Sequence, residues 1–168
     1  DLRIVKLIEM LNADGYTVYT YGLENSEDVL NMESVEMCPT IKEAVASSEV
    51  VVGPIPLSSD RKNISAPFGR NNIDLDEFVD AIKGKHLIAG NINIKEKLDA
   101  NNIEFTDILK REEFVVLNAI ATAEGTIQIA MEETQRTIHG TKTLIMGFGR
   151  VGKVLSKMLD GIGSEVYC

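Results

Sequence analysis

Cysteine and histidine are scarce, with two of each among 168 residues. Cys38 and Cys168 stand far apart, with no Cys-x-x-Cys pair and no histidines at ligand spacing. A disulfide framework and a zinc site are therefore excluded, no metal is expected, and a reducing cytoplasm fits this usage. No Ser-His-Asp or Cys-His pattern can be defended, so no catalytic residue is assigned. No run of about 18 uncharged apolar residues, the length of a spanning helix, is present. The first residues mix acidic and basic side chains, without the basic region and small-residue cleavage site of a signal peptide. The expectation is a soluble protein with no membrane partner. Basic residues are also few: 17 Lys and Arg against 26 Asp and Glu give a net charge of -9. Nucleic acid is thereby a poor partner, because phosphate backbones need a clustered positive face. Internal repeats and low-complexity tracts are absent as well.

What is present is a hydrophobic share of 44% in a chain long enough to bury a core. Ile4, Leu7, Ile8 and Leu11 recur at helical spacing ahead of Gly15, so the chain opens on a helix with no strand before it. Residues 16–20 are aromatic and β-branched and read as a strand, followed by an unpatterned polar stretch to Ser34. Thr40 and Glu43 form a capping box before a short helix. Residues 50–53 then read as a parallel strand covered on both faces, stopped by Pro54 and Pro56. A long polar loop spans 57–72. Asp74 with Glu77, and Asn93 with Glu96, start two further helices, with strands expected at 86–89 and 103–105. A longer helix is expected from Thr122 to His139-Gly140, then a strand at 143–146, a helix at 150–160 and a strand at 164–168. This alternation, without Asn-Gly or Asp-Gly hairpin turns, predicts an α/β fold with a Rossmann-like, doubly wound, mostly parallel sheet.

The chemistry lies in Gly147-Phe148-Gly149-Arg150-Val151-Gly152, which follows a strand and opens a helix, the setting this glycine spacing requires. Gly147 permits the tight turn, Gly149 lets the backbone approach a pyrophosphate, and Gly152 allows helix and strand to pack closely. The main-chain N-H groups of Arg150 and Val151 join the helix N-terminus in facing the anion. The expected cofactor is NAD or NADP. The residue that separates the two lies about twenty positions after the motif, at or beyond Cys168, so that choice is not readable. Ser58, Ser59 and Arg61 follow the carboxyl end of a parallel strand, where open sheets bind ligands, although a solvated loop is the simpler explanation for them. His139 reads as a helix C-terminal cation and His86 as the start of a strand, both structural.

Residues 137–140 and 146–152, together with Asn118-Ala119-Ile120-Ala121-Thr122-Ala123-Glu124-Gly125-Thr126-Ile127, resemble the A-subunit family of dipicolinate synthases. Asp1 and Arg3 are similar to the end of that family's Gly-Gly-Asp-x-Arg turn. Ala119 and Ala121 replace the Ser and Pro of its usual Asn-Ser-Ile-Pro-Thr. The resemblance implies two Rossmann-like domains arranged as in 2-hydroxyacid dehydrogenases and adenosylhomocysteinase, with the second domain truncated here. Residues 1–120 would form a flavodoxin- or Rossmann-like substrate domain, 121–140 a connecting helix, and 141–168 the start of the NAD(P)-binding domain.

The same resemblance implies an NAD(P)-dependent oxidoreductase that oxidises a dihydrodipicolinate-type intermediate to pyridine-2,6-dicarboxylate during sporulation. It brings a small dicarboxylate as substrate and, for partner, a B subunit, and leaves homo-oligomerisation open. It also sets Asn118, Thr122, Glu124 and Thr126 near cofactor or substrate, although Thr122 and Glu124 are equally ordinary residues for a helix start. Two other readings share the fold: a 2-hydroxyacid-dehydrogenase-like or adenosylhomocysteinase-like enzyme, and an NAD-sensing module without turnover.

Overall fold

The computed structural model describes residues 2–46 and 48–168, and its contacts divide the chain into two compact units, 1–108 and 109–168. The first unit begins with α1 (Leu2–Ala13) and continues through β1 (Val18–Thr20), α2 (Glu27–Leu30), β2 (Val35–Met37), α3 (Ile41–Ala46) and β3 (Val50–Val52). There follow β4 (Asn63–Ile64), β5 (Ile73–Asp74), α4 (Leu75–Ala81), β6 (His86–Ala89), α5 (Lys95–Ala100) and β7 (Glu104–Asp107). β1 pairs with β2, and β3, β6 and β7 form a sheet in that order, all in parallel. The expected parallel α/β pattern is present.

Capping logic holds where side-chain oxygens meet free helix amides. Thr40 Oγ1 accepts from the Glu43 N-H (3.2 Å) and donates to its carboxylate (2.8 Å) at the start of α3. Asp74 accepts from the N-H groups of Asp76 and Glu77 (2.8 and 3.1 Å) at the start of α4. Around these helices Leu57, Ile82, Leu87 and Leu98 lose all exposure to solvent. Burial of each such side chain contributes about 1.5–3 kcal/mol, so this cluster is the principal source of the unit's cohesion. A second cluster of Val5, Ile8 and Val29 joins α1 to α2.

Several expectations need correction. The polar stretch before Ser34 contains α2, and β2 follows it. The long polar loop contains β4, which pairs antiparallel with β5 just beyond its end, and two-residue strands are too short to show a period. The valines of β3 are not covered on both faces, since Val50 and Val52 are 49% and 43% exposed among the described residues. Asn93 does not cap α5, which starts two residues later without a side-chain cap. Asn93 instead donates from Nδ2 to the Ser58 carbonyl (2.9 Å).

After a 3-10 turn at Ile108–Lys110, the second unit comprises α6 (Glu112–Glu133), β8 (Lys142–Leu144), α7 (Arg150–Gly161) and β9 (Glu165–Tyr167), with β8 and β9 parallel. α6 starts ten residues before Thr122 and stops short of His139. Its opening residues include Val115, Val116 and Ile120, which disguise a helical period. It ends where Thr134 turns extended and returns its hydroxyl to the Ala130 carbonyl (2.7 Å). By length and composition alone α6 could cross a membrane, which a count of uncharged runs passes over because Glu124 interrupts the run. Its centre carries Asn118, Thr122, Glu124, Thr126 and Gln128, where a lipid-facing helix is ordinarily least polar. Ala119, Ala123 and Ile127 form its buried stripe.

His139 is consequently not a helix-terminal cation. Its ring lies under Gly163 (φ +91°), where an added Cβ would come within 2.5 Å of the imidazole, so packing explains it. His86 is structural by a different route, pairing across the sheet with the Thr106 hydroxyl (2.9 Å).

Candidate functional site

The glycine turn joins β8 to α7, and each glycine has its own physical reason. Gly147 has φ +116°, a conformation that side chains resist. A Cβ at Gly152 would collide with the Gly147 carbonyl oxygen, so the helix can sit this close to the turn only with glycine there. Gly149 differs from both, with an ordinary φ of -81° and nothing within 4 Å of a Cβ placed on it. No strain or crowding in the second unit asks for glycine at 149.

Gly149 is also the N-cap of α7, and the first bond of that helix runs from the Lys153 N-H to the Gly149 carbonyl (3.0 Å). The amides of Arg150, Val151 and Gly152 precede that bond, so the helix supplies them no partner and they face the turn with the positive end of its dipole. This arrangement fits a dinucleotide pyrophosphate. The Arg150 side chain is engaged elsewhere: Nε and Nη2 donate to the two carboxylate oxygens of Glu112 (2.9 and 2.5 Å). That pair holds the Glu112 carboxyl below, and the Arg150 guanidinium above, its ordinary pKa. Sequence reasoning misses Glu112, because 38 positions separate it from Arg150 and no motif connects them.

In the first unit the loops after β3, β4 and β6 meet around Ser58, which is 1% exposed. Its hydroxyl donates to the Asn63 carbonyl (2.6 Å) and accepts from the Arg61 N-H (2.9 Å). Ser58 is thus a structural tie, with its one proton and one of its two lone pairs engaged inside the loop. Asp60 completes the tie by accepting from the N-H groups of Lys62 and Asn63 (2.8 and 2.7 Å) and from the Asn63 side-chain amide (2.8 Å). The Asn63 amide, then the backbone N-H groups, hold the Asp60 carboxyl well below the usual carboxylate range.

Ser59 stays exposed, and its hydroxyl shares a 3.3 Å contact with that of Ser65. Arg61 is exposed at φ +60°, in the left-handed region. Asn93 Oδ1, buried beside this loop, has no hydrogen-bond partner among the described residues. At the end of β7 the Asp107 carboxylate accepts from the Asn91 and Ile92 N-H groups (both 3.2 Å), fixing the loop after β6. Sequence reasoning overlooks Ser65 and Asp107, since neither belongs to a motif, and reads Asn93 as a helix cap rather than a partner of the Ser58 carbonyl.

On α6, Thr122 donates to the Asn118 carbonyl and Thr126 to the Thr122 carbonyl (both 2.8 Å), so Asn118, Thr122 and Thr126 share one stripe. Glu124 is exposed one residue before Gly125. Neither Thr122 nor Glu124 serves a helix start, because that start lies at Glu112.

Parallel sheets, alternating helices and the glycine turn define a Rossmann-like α/β protein. The family model for the N-terminal domain of the dipicolinate synthase A subunit matches residues 1–109, and the chain belongs to that family. Over 59 residues it is 34% identical to the dipicolinate synthase A subunit of Bacillus subtilis (strain 168), covering 35% of this chain and 20% of that protein. Among solved structures it is similar in fold to the dipicolinate synthase A chain from Bacillus subtilis, with TM-score 0.80, 21% identity, and 99% and 56% of the respective chains covered. The A-subunit structure from Bacillus halodurans gives TM-score 0.84 and 23% identity over 99% and 58%. The chain therefore spans little more than half of these solved chains.

Proposed function

We propose that this chain is the N-terminal part of an NAD(P)-dependent oxidoreductase of the dipicolinate synthase A type, which oxidises a dihydrodipicolinate-type ring to pyridine-2,6-dicarboxylate. The observation that carries the cofactor half is Gly149, a glycine unexplained by its own surroundings, at the mouth of three helix-start amides. The substrate half rests on family membership.

When bound, the cofactor supplies the hydride acceptor. The substrate ring gives up one hydride and one proton as it becomes aromatic, so the protein's task is mainly to position the ring and exclude competing chemistry. In this reading residues 147–152 hold the pyrophosphate through the amides of Arg150, Val151 and Gly152. Ser59, Ser65 and Arg61 receive a substrate carboxylate, since hydroxyls and a guanidinium match its acceptor oxygens. Asp60 and Ser58 keep that loop in shape. The reading also carries a partner of the B-subunit type, a role in sporulation and a cytoplasmic location.

Reduction of NAD or NADP by the complete protein, supplied with freshly generated dihydrodipicolinate-type substrate, tests it. Changing Ser59 and Arg61 together is expected to raise KM with little change in thermal stability. Unchanged kinetics would remove them from the substrate site.

A further inference from the structure

Arg150 is the first residue of α7 and Glu112 the first residue of α6. Their side chains join through the Nε–Nη2 edge of the guanidinium and both oxygens of the carboxylate, a two-pronged geometry. A phosphate presents the same acceptor pattern as a carboxylate, and a guanidinium matches both. The pair thus sets an internal anion beside the α7 N-terminus, on the residue that follows Gly149. Both side chains are more than half exposed, so little burial holds them together.

From this juxtaposition we infer that Glu112 is an internal competitor of the dinucleotide: in the cofactor-free protein its carboxylate occupies the Arg150 fork that the pyrophosphate takes on binding. The inference rests on the reading of residues 147–152 as a dinucleotide site and adds to it a residue that sets affinity. Displacement of Glu112 accompanies binding, and the freed carboxylate repels the incoming anion. The wild-type site therefore binds more weakly than its amides and guanidinium alone would allow. Anionic ligands also differ from uncharged analogues here, because only an anion recovers the interaction that Arg150 gives up.

The test measures binding by the complete protein, with NADH and NADPH titrated by nicotinamide fluorescence at low and at raised salt. The proteins are wild type, Glu112→Gln, Arg150→Met and the double variant, each checked for unchanged secondary structure by circular dichroism. The account expects Glu112→Gln to tighten binding of the preferred dinucleotide by about twofold to fivefold, the scale of losing an exposed competing ion pair. That gain shrinks as salt rises. Arg150→Met weakens binding, and in its background Glu112→Gln has no further effect. Wild type that binds while Glu112→Gln is equal or weaker would overturn the competition and leave the dinucleotide site standing. Wild type that binds neither dinucleotide would overturn the site itself and the competition with it.

Discussion

Three glycines within six positions do three different things, and their substitutions should separate accordingly. Gly149→Val is expected to preserve the thermal midpoint and, in the proposed function, to weaken dinucleotide binding at least about tenfold, because the new side chain fills open space proposed for the pyrophosphate. Gly152→Ala should instead lower the midpoint, since its Cβ meets the Gly147 carbonyl oxygen. Differential scanning calorimetry paired with fluorescence titration distinguishes the two. Ser58→Ala should cost about 1–3 kcal/mol in denaturant unfolding, as the buried hydroxyl leaves the Asn63 carbonyl and Arg61 N-H without their partner.

Asp60 adds a pH dependence whose sign is fixed. Its carboxyl is depressed in the fold, so its contribution is complete above the ordinary carboxyl value of about 3.9 and drops away as pH falls towards the lower native value. The difference in thermal midpoint between wild type and Asp60→Asn is therefore expected to shrink from pH 6 to pH 3. A constant difference would mean that charge plays no part. At this scale the sequence was informative about glycines, because their spacing is local. It was silent on Glu112 and misplaced Asn93, whose partners lie 38 and 35 positions away.

The helices and strands divide along similar lines. α4 could be read at its start because Asp74 and Glu77 lie three apart, which is the geometry of the cap, and its core residues repeat with the helix. α7 was legible for the same reason, with Leu155 and Leu159 on one face. β4 and β5 were not, since two residues define no alternation, and the pair is held by register between Asn63–Ile64 and Ile73–Asp74. α6 was legible in its second half only, where Ile127, Ala130 and Met131 keep the period. Within α6, a methyl added at Gly125 would have no neighbour within 4 Å, and an interior glycine is a poor helix former. Gly125→Ala is thus expected to stabilise the protein by about 0.5–1 kcal/mol. If stability rises while cofactor or substrate binding falls, Gly125 serves a ligand. If both are unchanged, helix propensity is not what limits α6.

For the whole molecule, the proposed function draws one part from each of the two units. The second presents the glycine turn proposed to hold a pyrophosphate, and the first presents exposed Ser59 and Arg61 on a loop tied down by Ser58 and Asp60. Membership in the family of dipicolinate synthase A-chain N-terminal domains joins these parts into one proposal. The most direct measurement is nicotinamide absorbance in the complete protein with fresh dihydrodipicolinate-type substrate, run with wild type and Gly149→Val. The account predicts substrate-dependent reduction of NAD or NADP by wild type and its loss in the variant. Dinucleotide binding by wild type without reduction of either cofactor would contradict it.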